Sequence, residues 1–223
     1  MYSSILIIIP AYNEEKMVGK VIDDLKKAGF ENIIVIDDGS SDKTGEVSKK
    51  AGAIVLTHPV NIGVGGAFST GMEYARLKNY KYLITVDADG QHNANDVKKI
   101  ALELQKDEYD IVSGSRFLDF KRKYKPRYLL GLLWNLIIFL FTFKYTSDPE
   151  SGLRGFNKKA LEVINVESSG FEACSEIIIK SAKSSLKTKE IPVTAIYTDY
   201  SINKGQKITN ATRLFRKLLL RHG

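Results

Sequence analysis

Two aspartates and one amide carry the most pointed chemistry in this sequence. Asp87 and Asp89 are separated by Ala88, and Gln91 follows two positions on. In extended or turning backbone, residues i, i+2 and i+4 can face one way. Three hard oxygen donors on one side suit Mg2+ or Mn2+, with phosphate oxygens and water completing the coordination. A cation held there would offset the charge of a departing diphosphate. The run Asp87-Ala88-Asp89-Gly90 also reads as a plain turn, and taken alone it leaves both readings open. It is not an EF-hand loop, whose twelfth position is Glu; counted from Asp87, that position is Lys98.

Three other groups lie in similar settings. In Asp37-Asp38-Gly39-Ser40-Ser41-Asp42, one aspartate can accept hydrogen bonds from a base or ribose, or Ser41 and Asp42 can simply cap the next helix. In Asn61-Ile62-Gly63-Val64-Gly65-Gly66, the glycines let backbone approach a nucleotide. This run is not a dinucleotide fingerprint, which belongs after the first strand of a βαβ unit and has a further glycine spacing. Asp148 could act as a general base toward a hydroxyl acceptor, pair with Arg154, or cap the turn that follows it. Cys174 reads as a small buried residue rather than a nucleophile. His58 and His92 read as structural, with His92 close enough to Gln91 to touch that site.

These groups need elements to position them. Apolar runs predict strands at Ser4–Ile9, Asn32–Ile36, Ala53–Thr57, Tyr82–Val86 and Asp110–Ser113. Helical spacing and glycine stops predict helices at Glu14–Ala28, Asp42–Ala51, Gly66–Leu77 and Asn95–Leu104. Further on, Gly170–Ser181 and Thr212–Leu220 look helical and Ile191–Tyr197 looks like a strand. Repeated βα units imply an α/β fold with a mostly parallel central sheet flanked by helices. Ligands of such sheets bind at the carboxyl ends of the strands. The acids, amides and glycines above all fall just after predicted strands.

The chain has 223 residues, 43% of them hydrophobic and 26% charged, enough for one compact domain with a short extension. A single cysteine excludes a disulfide framework and fits a reducing, cytoplasmic setting. The net charge of +7 is concentrated. Residues 111–147 carry seven basic side chains against one acidic, and residues 200–223 carry six against none. Lys121–Arg127 leads directly into the apolar run Leu129–Phe143. As a helix that run spans about 22 Å, short of a bilayer core of about 30 Å. A basic patch joined to an apolar helix suits the membrane interface, and a core helix beside a solvated loop is the other reading. Residues 1–200 are expected to form the main domain, including the interface region 117–147, and residues 201–223 a basic amphipathic helix suited to a membrane surface or a homo-oligomer contact. Nothing resembles a nucleic-acid-binding motif, and the acidic first half opposes such binding.

Six motifs occur in order: Pro10-Ala-Tyr-Asn-Glu-Glu15, Ile36-Asp-Asp-Gly-Ser-Ser-Asp42, Asn61-x-Gly-x-Gly-Gly66, Asp87-Ala-Asp-Gly-Gln-His92, Ser113-Gly-Ser-Arg116 and Asp148-Pro-Glu-Ser-Gly-Leu-Arg154. Together they resemble glycosyltransferase family 2, with the GT-A fold, in the branch of dolichyl- and polyprenyl-phosphate sugar synthases. The resemblance runs from about residue 4 to residue 213. It implies that Pro10, Tyr12, Glu14 and Asp38 hold the nucleoside with Ala88 in the same pocket, beside the close backbone approach read above at Gly65, and that Asp87, Asp89 and Gln91 form the Mg2+ or Mn2+ and diphosphate site. It further implies that Arg116 and Arg127 contact an acceptor phosphate, and that Asn135, Arg154 and Glu176 occupy family positions. Family members often carry Ser four residues after the second arginine; Gly131 stands there in this chain. The implied activity is metal-dependent, inverting transfer of a hexose from a UDP- or GDP-sugar to a polyprenyl or dolichyl phosphate, peripheral on the cytoplasmic membrane face. A family 2 enzyme acting on a sugar hydroxyl is the alternative, and a catalytically silent binding domain a third.

Overall fold

A computed structural model describes residues 2–118, 145–194 and 196. A seven-stranded sheet in the order β3-β2-β1-β4-β6-β5-β7 organises the chain. The strands are β1 (Ile5–Ala11), β2 (Ile33–Asp37), β3 (Ile54–Thr57), β4 (Tyr82–Thr85), β5 (Ile111–Ser115), β6 (Arg154–Asn157) and β7 (Thr188–Pro192). Helices α1 (Val18–Lys27), α2 (Thr44–Lys50), α3 (Val64–Leu77) and α4 (Ala94–Leu104) follow the first four strands, and α5 (Lys158–Val163) and α6 (Glu172–Lys183) precede β7. All pairings are parallel except those of β6, which runs antiparallel to both β4 and β5.

The unbroken apolar runs arise because both sheet faces are covered. On β1, Ile5, Ile7 and Ile9 join a core layer with Val18, Ile22 and Leu25 of α1 and Val97, Ile100 and Leu104 of α4. Leu6 and Ile8 point the other way, into a layer with Phe68 and Met72 of α3 and Ala173 and Ile177 of α6. Asn93 caps α4, its side chain accepting from the Asn95 backbone N–H at 2.9 Å.

The first five strands and four helices fall where the sequence places them, with shifted ends. Helix α1 starts at Val18 rather than Glu14, because Asn13 takes a left-handed φ of 53° and residues 14–17 form a turn. The last strand among the described residues lies at Thr188–Pro192, overlapping only the start of the expected Ile191–Tyr197, of which Ala195 and Tyr197 lie outside them. It is an edge strand whose Lys189 and Glu190 break the apolar signature. Strand β6 carried no strand signal, being four residues long with an arginine and a glycine. Its reversed direction matters for function. Arg154 at its start lies in register with Thr85 of β4 and Ser113 of β5, so the segment before it arrives at the carboxyl edge of the sheet. The basic run Lys121–Arg127, the apolar run Leu129–Phe143 and the expected C-terminal helix lie outside the described residues.

Candidate active site

Four connections meet along that edge. The turns after β1 and β2 are sewn together: the Asn13 N–H donates to Ser40 Oγ at 3.0 Å, Ser41 N–H to Asn13 Oδ1 at 2.9 Å, and Glu14 N–H to Thr44 Oγ1 at 2.7 Å. Tyr12 is exposed, Pro10 half-buried and Glu14 buried at 8%. Asp38 is buried and accepts from Ile62 N–H at 3.0 Å and Gly63 N–H at 2.8 Å, with His58 Nδ1 at 2.7 Å. Asp38 therefore fixes the loop of residues 58–63. His58 completes the link through Nε2, 2.9 Å from Thr70 Oγ1 on α3.

Gly63 has a φ of 94°, a conformation that side chains other than glycine resist. At Gly65 a Cβ would overlap the Ser168 carbonyl, and the Gly65 N–H donates to Ser169 O at 2.8 Å. The space freed at Gly65 thus admits protein backbone from the segment before α6. Glu176 of α6 holds that segment, accepting from Glu167 N–H at 3.0 Å and Ser168 N–H at 2.8 Å. Ala88 is buried in the core layer shared with α1 and α4.

Asp87 and Asp89 follow β4 at the centre of this edge. The Asp87 carboxylate lies 2.8 Å from His92 Nε2, as its nearness in sequence suggested. Gly152 packs so close that a Cβ there would overlap the Asp87 carboxylate oxygens. Burial works against the charge on Asp87, but His92, Arg116 and Arg154 outweigh it and hold its carboxyl below the usual range. Asp89 is driven the opposite way, above the usual range, by burial and then by the negative charge of Asp87. The Gln91 N–H, which donates to Asp89 Oδ1 at 2.9 Å, opposes that shift only partly.

Arg116 and Asp148 form the second half of the site. Arg116 follows β5, and its Nε and Nη2 donate to the two Asp148 oxygens at 2.7 Å each, a forked pair reinforced by the Arg116 N–H at 3.1 Å. Asp148 is 1% exposed and Arg116 27% exposed. Asp148 does not pair with Arg154. That arginine is buried and donates instead to the carbonyls of Cys174 at 2.7 Å and Pro149 at 2.5 Å, leaving Nε without a partner among the described residues. Sequence reasoning overlooked Thr85, whose hydroxyl donates to Gly152 O at 2.5 Å, and Glu190 of β7; a lone polar residue in a strand gives no signal of its own. Arg127 lies outside the described residues. Cys174 is buried, which pushes its thiol up to about 11 and leaves it without nucleophilic character.

The donor chemistry fits a divalent cation. Among the described residues no three His, Cys, Asp or Glu side chains form a complete cage. Two carboxylates, one of them raised by burial and then by its neighbour's charge, instead make an open set that a phosphate-bound ion would complete.

Comparison with known proteins identifies the family and the fold. Residues 6–164 match the family description "Glycosyl transferase family 2". An uncharacterized protein of Methanocaldococcus jannaschii is 41% identical, over 97% of this chain and 91% of its own. The UDP-N-acetylglucosamine–dolichyl-phosphate N-acetylglucosaminyltransferase of Methanococcus voltae is 35% identical, over 97% of this chain and 95% of its own. Among solved structures, glucosyl-3-phosphoglycerate synthase of Mycobacterium tuberculosis, in complex with Mn2+, UDP and phosphoglyceric acid, superposes with a TM-score of 0.77 at 18% identity, covering 98% of this chain and 78% of that one.

Proposed function

The chain belongs to glycosyltransferase family 2 and has the GT-A fold, and from that premise we propose that it moves a sugar from a nucleoside diphosphate to a polyprenyl or dolichyl phosphate. The observation that carries this reading is the state of Asp148. Both its oxygens accept from Arg116 and it is buried, so it is poorly placed to deprotonate a sugar hydroxyl. A lipid phosphate is already an anion and needs positioning rather than a base. Arg116, pre-set by Asp148 and part-exposed, is suited to that task by the fixed positive charge it brings. Its charge also acts on Asp87, so the arginine and the carboxylates after β4 share one electrostatic field.

A divalent cation, held by Asp87 and Asp89 with Gln91 beside them, would neutralise charge on the departing diphosphate. His92 orients Asp87, and the loop fixed by Asp38 walls the nucleoside side with Tyr12 and Glu14. Attack from the acceptor side opposite the leaving diphosphate would invert the anomeric centre. The relative from Methanococcus voltae makes UDP-N-acetylglucosamine the first donor to try. The basic run Lys121–Arg127 and the apolar run Leu129–Phe143 supply a route to a lipid acceptor, with the protein peripheral on the cytoplasmic face. Among the described residues no helix is long and apolar enough to cross a membrane.

The test is incubation with labelled UDP-N-acetylglucosamine, Mn2+ and polyprenyl phosphate. Label is expected in an organic-extractable, mild-acid-labile product. Label appearing only on a water-soluble glycan would establish the hydroxyl-acceptor alternative instead.

A further inference from the structure

We propose that Glu190 is a positioning residue of the site: through the Thr146–Asp148 segment it fixes the Arg116 guanidinium that faces the acceptor. The claim rests on the reading of Arg116 given above. Glu190 lies on edge strand β7, in register with Ser113 of β5. Its carboxylate accepts from Thr146 Oγ1 at 2.6 Å, from Ser147 N–H at 2.9 and 3.0 Å, from Ser147 Oγ at 2.8 Å and from Asp148 N–H at 3.3 Å. Among the described residues no lysine or arginine pairs with it, so its charge is met by these donors alone. A carboxylate saturated by consecutive backbone and hydroxyl donors sets the path of that segment.

The hold passes on in two directions. Ser147 Oγ lies 2.6 Å from Ser115 Oγ, which in turn accepts from Phe117 N–H at 3.2 Å, so the backbone on either side of Arg116 is tied to the same segment. Asp148, the next residue along, grips Arg116 by its backbone and by both guanidinium arms. Among the described residues Glu190 makes no direct bond to Arg116, yet the bonds by which Asp148 and Ser115 hold Arg116 and its flanking backbone run back to it. Positioning groups of this kind act by geometry, where a displacement of about 1 Å can cost about a hundredfold in rate.

The variant to make is Glu190→Gln, which keeps size and replaces one acceptor oxygen with an NH2 that cannot accept from Ser147. The first readout is hydrogen exchange of the Arg116 Nε–H resonance, assigned by its disappearance in Arg116→Lys. It is expected to speed up at least about tenfold in Glu190→Gln while the protein remains folded by thermal melting. An unchanged exchange rate overturns the proposal. The second readout is kcat/KM for polyprenyl phosphate, expected to fall about tenfold in Glu190→Gln but by less than about twofold when the change is added to Arg116→Lys. Full multiplication of the two effects, or an equal loss of binding to UDP with Mn2+, also overturns it. If Glu190→Gln does not fold, Ser147→Ala removes one donor of the same set and is judged on the same two readouts. Should the wild-type protein transfer nothing to polyprenyl phosphate, the proposed function falls, and the exchange readout still decides the positioning claim.

Discussion

Asp87 and Asp89 are the same residue type two positions apart, yet their surroundings push them in opposite directions. His92, Arg116 and Arg154 hold the Asp87 carboxyl below the usual range, whereas burial and then the charge of Asp87 raise that of Asp89 despite the opposing Gln91 N–H and His92. A site with surplus negative charge is one prepared for a cation. Asp89→Asn is therefore expected to lower sugar transfer about a hundredfold or more and to abolish the Mn2+-dependent part of nucleotide binding, measured by calorimetry with and without chelator. Unimpaired turnover by that variant would remove the metal from the account. Cys174 supplies a contrasting case. Buried and raised to about 11, it is expected to stay unreactive toward a thiol reagent at neutral pH in the folded protein and to react fully in denaturant. Rapid labelling of the native chain would show that the α6 start is open.

At the scale of elements, β6 and its neighbours decide how the second half reaches the first. Asp110, before β5, joins three strands: its carboxylate accepts from Lys187 N–H at 2.8 Å, Asn157 Nδ2 at 3.0 Å and Lys159 Nζ at 3.1 Å. Burial opposes its charge, but these donors outweigh it and hold the carboxyl below its usual range. A carboxyl lowered in the folded state stabilises above its unfolded pKa, near about 3.9, and that contribution is lost as pH falls through the folded value. Asp110→Asn should therefore cost about 1–3 kcal/mol at neutral pH, and the gap in melting temperature from wild type should shrink below about pH 4. A gap independent of pH would mean that the charge is not what matters. Gly65→Ala should destabilise by about 1–3 kcal/mol, because a methyl there displaces the Ser168 carbonyl; chemical denaturation measures it. The elements themselves were unevenly legible. Strands such as Ile33–Asp37 announce themselves because both faces are buried, and the acid and glycine groups after them fall along the carboxyl edge of the sheet. Strand β6 was hidden because Arg154 and Gly155 earn their place by tertiary contacts, and β7 because an edge strand tolerates Lys189 and Glu190. The Arg116–Asp148 pair could be named residue by residue but not joined, since a link across 32 positions depends on the reversal of β6.

For the whole molecule, charge and apolar surface divide the labour. The first half is acidic, and the blocks at 111–147 and 200–223 carry the basic excess that takes the chain to a net +7. Binding to vesicles containing anionic lipid is expected to be strong at low salt and to weaken about as the Debye length shortens, from about 10 Å at 0.1 M to about 3 Å at 1 M. Flotation assays read this directly, and salt-independent binding would assign the attachment to apolar insertion instead. All of this depends on a donor seated against the carboxylates that follow β4. The most direct measurement is a crystal soaked with UDP-N-acetylglucosamine and Mn2+, examined for anomalous scattering from manganese. The account predicts a single strong peak touching Asp89 and the diphosphate oxygens, with Arg116 across the gap. A nucleotide bound elsewhere, or a manganese peak remote from Asp89, would contradict it.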